Sequence, residues 1–119
     1  KENAKPIAVV VLNSNGNIVV ALKEDDASIF RIDVAKGKAW GCIALGESSR
    51  GIAAKAKENP SFVNGLIVKS EGNILPNPGA VPIYENKKII GSIGVSGDKG
   101  ENDEKFCIEA VKKNGYEVN

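Results

Sequence analysis

The stretch Lys88–Ser96, KIIGSIGVS, constrains the fold more than any other part of this chain. Read as a strand, it places Ile89, Gly91, Ile93 and Val95 on one face and Ile90, Ser92, Gly94 and Ser96 on the other. Glycine weakens a strand interior and is kept where another backbone or a ligand must come close. The small-residue face therefore predicts an element packed tightly against it. Residues 79–87 read as the partner strand and turn of a β-hairpin. The glycine-rich turn Ser96-Gly97-Asp98-Lys99-Gly100 then aims a helix N-terminus back at the sheet.

Length and charge bound the rest. A chain of 119 residues fits one domain with one core, and 42% apolar with 26% charged residues suits a packed rather than a disordered chain. The net charge is +1 with no polybasic run, which argues against nucleic acid or an anionic membrane as partner. The longest apolar run, Ile7–Leu12, is too short to span a bilayer. There is no histidine, which excludes Ser-His-Asp triads, Cys-His dyads, imidazole-bound zinc and histidine-ligated haem within this chain. Cys42 and Cys107 lie on predicted helices and read as small core residues, with no metal site expected. The sequence holds no methionine, so it is expected to start after the natural N-terminus. The expected location is the cytoplasm, with secretion as the alternative.

Two β-branched runs, Ile7–Leu12 and Ile18–Leu22, flank Asn13-Ser14-Asn15-Gly16-Asn17, a hairpin signal. Both are apolar on consecutive residues, which predicts strands covered on both faces. Ser28 caps a helix expected to run to Leu45, with Gly46 just past its end. That helix projects two apolar faces: Ile32, Ala35, Ala39, Cys42 and Ile43, and nearly opposite, Phe30, Val34, Gly37, Gly41, Ala44 and Leu45. The second face predicts a homo-oligomer contact over residues 28–45, with Gly37 and Gly41 admitting a close partner. Ser48 or Ser49 starts a shorter helix to Asn59-Pro60. Pro60–Gly65 reads as a turn and Leu66–Leu75 as extended segments with a turn at Glu71-Gly72-Asn73. The last helix spans Glu101–Lys113, with Asp98 and Glu101 at capping-box spacing and Phe106, Cys107, Ala110 and Val111 as its buried stripe. The order of elements predicts an α+β fold: an antiparallel sheet of about five strands with helices packed on it.

The candidate site residues cluster around the glycine-rich turn. Exposed amides at Gly94–Gly100 suit an anion, although Asp98, Glu101, Asp103 and Glu104 repel phosphate, and a structural turn is the competing reading. Asp98 reads as a cap. Asp103 begins the inward stripe of its helix, so it either accepts the Gly97–Lys99 amides or reaches into a pocket; Glu104 points outward. Lys36 and Lys38 interrupt an apolar helix and are expected to snorkel to water. Trp40 and Tyr84 either line an apolar pocket for a flat ligand or pack in the core. The ligand-binding set is therefore Lys38, Trp40, Tyr84, Ser96, Gly97, Asp98 and Asp103, with no catalytic residue assigned.

The hairpin resembles the GlcG/HbpS-like family, also found as the C-terminal domain of PduO-type proteins. The family pattern is approximately G-G-V-P-I, a tight hairpin, G-x-I-G-V-S-G, then D-E. Gly79, Val81, Pro82, Ile83, Gly91, Ile93, Gly94, Val95, Ser96, Gly97, Asp103 and Glu104 fit it; Ala80 and Asn86-Lys87 depart from it. Lys38-Ala39 matches a Lys-Ala position. The resemblance implies a profilin- or PAS-like sheet, a single domain over residues 1–119, and a helix before the first strand that this chain is expected to lack. It also implies a small-ligand or sensing role with haem or a corrinoid as the suggested cofactor, non-catalytic and homo-oligomeric. With no histidine, the tyrosines Tyr84 and Tyr116 and the cysteines remain as common side-chain haem ligands. An enzyme or accessory subunit for a small organic acid, using Lys36, Lys38, Asp98, Asp103 or Tyr84, is the alternative; a purely structural subunit is the third.

Overall fold

The computed structural model describes residues 5–118. Strands β1 (Ala8–Asn13) and β2 (Ile18–Lys23) form the first hairpin, and β3 (Ala80–Glu85) and β4 (Lys88–Ser96) the second. They make one antiparallel sheet of four strands in the order β2-β1-β4-β3. Between the hairpins lie helices α1 (Arg31–Leu45), α2 (Ser49–Glu58) and α3 (Pro60–Lys69), and α4 (Gly100–Lys113) ends the fold. The architecture is α+β, as the order of elements requires. A single bridge from Glu117 to Tyr84 extends the β3 edge.

The sheet carries helices on both faces. Val10, Leu12 and Ala80 pack against Ala35, Ala39 and Cys42 of α1. Ile7, Val81, Ile93 and Val95 pack against Cys107 and Val111 of α4. The small-residue face of β4 lies directly under α1. A Cβ on Gly94 would collide with the Ala35 carbonyl oxygen, and Ser92 Oγ donates to the Ala39 carbonyl at 2.8 Å. At the other end of β4, Asn86 and Lys87 both adopt positive φ (52° and 67°), so a primed two-residue turn forms without glycine.

Five sequence expectations need correction. Residues 60–69 are helix, not turn and strand: Pro60 stands at the first helical position, where its missing N–H costs nothing, and Asn59 Oδ1 accepts from the Phe62 amide. Strand β2 is not covered on both faces; Val19 is 60% and Leu22 65% exposed. The glycines on the second face of α1 find their cover within the chain, Gly37 under Leu75 and Gly41 under Ile52 and Ile74, while Phe30 on the same face stays 61% exposed. The Leu75 amide donates to the Gly37 carbonyl at 3.1 Å, which seals that contact and leaves no glycine groove for a second copy. Helix α1 begins at Arg31 without a side-chain cap, Ser28 Oγ instead accepting from the Phe30 amide one turn earlier. Phe106 is exposed, so the buried face of α4 runs through Asp103, Cys107 and Val111.

The close approach at Gly94 yields a paired prediction. Gly94→Ala must separate α1 from the sheet and lowers stability by about 1–3 kcal/mol, as overpacking does. Gly65→Ala, in open space on α3, raises stability by about 0.4–1 kcal/mol. Denaturant midpoints of the two variants moving in the same direction would show that the tight β4–α1 contact is not there.

Candidate functional site

The C-terminal end of β4 is where the chemistry-bearing side chains converge. Helix α1 presents Arg31 and Lys38, seven residues and so about two turns apart on one face. Arg31 Nη1 donates to Ser96 Oγ at 2.8 Å, and Ser96 is fully buried. Lys38 Nζ donates to the Val95 carbonyl at 3.1 Å and meets Asp103 Oδ2 at 3.5 Å. Because Val95 and Ser96 are neighbours on β4, the two cationic heads meet at one place.

Lys38 does not snorkel; it is 5% exposed, and the backbone is built around it. Gly79, at φ 130°, passes so close that a Cβ there would lie 2.6 Å from Lys38 Nζ. Asp103 lies opposite, 1% exposed, and its Oδ1 accepts from the Asp98 amide at 3.2 Å. The backbone role expected for Asp103 is present, together with an ion pair that sequence spacing could not show. Burial pushes the Asp103 carboxyl above its ordinary range while Lys38 pulls it back. Burial likewise holds the Lys38 ammonium below its ordinary value, against the pull of Asp103. Desolvation outweighs attraction for both partners, so the pair is a constraint on geometry more than a source of stability.

Beside this pair opens a cleft of about 630 Å³, walled by Arg31, Val34, Lys38, Leu75, Pro78 and the first turn of α4. Asp98 stands on the cleft, not as a helix cap: its Oδ1 accepts from the Lys99 amide at 2.7 Å, which holds its carboxyl below the ordinary range. Gly97 belongs to the frame, since a Cβ there would collide with the Pro6 carbonyl.

Trp40 and Tyr84 are not brought to this cleft or to each other. Trp40 is half-buried with its indole against Gly16 of the first turn. Tyr84 lines a separate cavity of about 320 Å³ with Arg50, Pro82, Glu104 and Ile108. Glu104 does not point outward; it is 8% exposed and takes Arg50 Nε on both oxygens, at 3.1 and 3.2 Å. Among the described residues no group of three or more His, Cys, Asp or Glu side chains could hold a metal ion, and no helix is long and apolar enough to cross a membrane.

A family model described as haem degrading protein HbpS-like matches residues 1–112. The chain belongs to the HbpS-like family. It is 29% identical over 106 residues to an uncharacterized 15.0 kDa protein of the dhaT-dhaS intergenic region in Citrobacter freundii, a match covering 89% of this chain and 74% of that protein. It is 21% identical over 106 residues to the corrinoid adenosyltransferase PduO of the same organism, of which it spans 31%. The Klebsiella pneumoniae protein ORFY superposes with a TM-score of 0.84 at 25% identity, over 93% of this chain and 76% of ORFY. The PduOC:heme complex superposes at 0.87 with 20% identity, over 97% and 83% of the two chains. Streptomyces reticuli HbpS, as a double mutant, superposes at 0.80 with 24% identity, over 93% and 73%. The last two likenesses establish the HbpS-like fold alone.

In this HbpS-like chain, reasoning from sequence missed Arg31 and the segment Leu75–Pro78. The seven-residue spacing from Arg31 to Lys38 was the one available signal.

Two tests follow from the buried pair. Asp103→Ala leaves Lys38 buried without its partner and costs about 3–5 kcal/mol, whereas Glu104→Ala, which frees a largely exposed Arg50, costs up to about 1 kcal/mol. The Lys38 value is depressed in the folded state, so the unfolded chain binds more protons between that value and 10.5 and stability rises with pH across that window. Denaturant midpoints followed upward in pH toward 10.5 should therefore rise for wild type relative to Lys38→Met. Parallel curves would mean that Lys38 is not buried as a cation.

Proposed function

We propose that this chain is a small-molecule-binding or sensing domain of tetrapyrrole-related type that performs no chemistry of its own and assembles with copies of itself. The observation that carries the reading is the cleft at the end of β4, walled by apolar Val34, Leu75 and Pro78 and edged by Arg31 and Lys38. The description of the family as haem degrading and the heme complex of a protein sharing the fold support a tetrapyrrole, haem or corrinoid, as the ligand class. A binding role is supported by the state of the pair: Lys38 and Asp103 hold each other, so neither is free to move a proton for a substrate.

Conventional axial ligation of haem iron does not fit these residues. The chain has no histidine or methionine. Cys42 is buried, its thiol pushed up to about 12, and Cys107 is buried with its thiol raised further. Both sulfurs donate to backbone carbonyls in the core. Tyr84 and Tyr116 line other depressions. A tetrapyrrole would be held here by its ring and its carboxylates, not through its metal.

Self-association is supported by the sheet edge. Val20 and Leu22 of β2 share the α4 side of the sheet with Val9 and Val11, outside the reach of α4. Fully burying each large side chain contributes roughly 1.5–3 kcal/mol. The only charged side chain of β2, Lys23, folds back onto the Ala27 carbonyl and does not guard the edge.

Haem titration should saturate one to one without a tight six-coordinate spectrum, and Tyr84→Phe should change nothing. A flat titration would remove the tetrapyrrole reading, and a six-coordinate spectrum lost in a tyrosine or cysteine variant would overturn the ligation argument. Light scattering at micromolar concentration should give more than the monomer mass for wild type and the monomer mass for Leu22→Lys. A monomeric wild type would overturn self-association.

A further inference from the structure

Arg31 is an arginine held in place but not neutralised. Its Nη1 is fixed by buried Ser96, yet no carboxylate lies within ion-pair distance of its guanidinium among the described residues, and four of its five N–H donors have no acceptor there. Lys38 has three N–H donors; the Val95 carbonyl and Asp103 take two, and the third has no acceptor among the described residues. Both side chains line the same cleft. A third set of donors borders it: Lys99 precedes α4 without giving it a side-chain cap, and the amides of Gly100 and Glu101 have no acceptor among the described residues.

We infer that this cleft is a carboxylate-recognising site, with Arg31 as the planar clamp and the free Lys38 N–H as the second donor. Arginine matches a carboxylate with two parallel bonds, and charge-assisted bonds of this kind are about twice as strong as neutral ones. Ser96 fixes the guanidinium in advance, which reduces the ordering cost of binding. Lys99 joins Arg31 and Lys38 on the lining while Asp98 and Glu101 stand opposite in charge, three cations against two carboxylates, a small positive excess that suits one carboxylate rather than a phosphate or a cluster of acids. Val34, Leu75 and Pro78 take the apolar part of the ligand. The inference rests on the reading of this cleft as a ligand site, but not on the ligand being a tetrapyrrole. The carboxylate comes either from a propionate arm of a tetrapyrrole or from a free small acid.

The probes are metal-free protoporphyrin IX, its dimethyl ester, and butyrate, titrated against wild type, Arg31→Gln and Ser96→Ala. Thermal melts of each variant establish that it is folded. Protoporphyrin IX should bind wild type, the dimethyl ester should bind far more weakly, and Arg31→Gln should lose about ten- to hundredfold in affinity. Ser96→Ala keeps the charge and loses only the positioning, so its loss should be smaller. If butyrate binds with the same dependence on Arg31 and protoporphyrin does not, the carboxylate site stands and the tetrapyrrole reading falls. If protoporphyrin and its ester bind equally well and Arg31→Gln changes neither, the tetrapyrrole reading stands and the carboxylate site is wrong. Binding of none of the probes overturns both.

Discussion

The seating of α1 on the glycine of β4 is the contact on which the rest of the structure depends. Interiors pack at crystal-like density, so the distance between a helix and a sheet is set by the side chains between them. At Gly94 there is none, and the Ala35 carbonyl oxygen comes down onto the strand itself. At this short separation Ser92 reaches the Ala39 carbonyl, Ser96 reaches Arg31, and Lys38 reaches past the sheet end to the Val95 carbonyl. A single methyl at Gly94 would lift all of these together. The site at the end of β4 is thus a consequence of the packing of the middle of β4.

The buried ion pair has a second consequence of position. Helices α1 and α4 lie on opposite faces of the sheet, and Lys38 belongs to one and Asp103 to the other. The pair closes around the end of the sheet, through the gap that Gly79 leaves open. Its partners are both shifted toward neutrality by burial. An apolar pair of similar volume could be as stable, but it could not also hold the Asp98 amide and put an ammonium on the lining of the cleft. The pair therefore fixes where the first turn of α4 stands relative to α1, and that juxtaposition is the cleft.

How far the fold and site were legible follows from what kind of information each element needed. The small face of β4, the two hairpins, the Gly46 stop and the amide-accepting role of Asp103 were legible because each is a local rule acting within a few residues. Helix α3 was misread because Asn59-Pro60 ends one helix and starts another with the same two residues. The glycine face of α1 was read as an interface because the residues that cover it, Ile52, Ile74 and Leu75, are distant in sequence and carry no periodic signal toward it. Lys38 was placed in water because its partner is sixty-five residues away. Glu104 was turned outward for the same reason, its partner Arg50 being fifty-four residues distant. Local chemistry was readable; pairing across the sheet was not.

The contrast between Lys38 and Arg31 is what supports the proposed role of holding rather than transforming a ligand. A general acid or base needs a proton that can leave or arrive, with a value near the working pH. Lys38 and Asp103 are both displaced toward that range, but each is held by the other and by backbone at Val95 and Asp98. Arg31, whose guanidinium stays protonated in proteins, contributes charge without proton transfer. The group that faces the cleft with most of its donors free is therefore the one least able to do acid–base chemistry. The two groups able to do it, Lys38 and Asp103, are tied to each other and to backbone at Val95 and Asp98. That division of labour supports the proposed binding role.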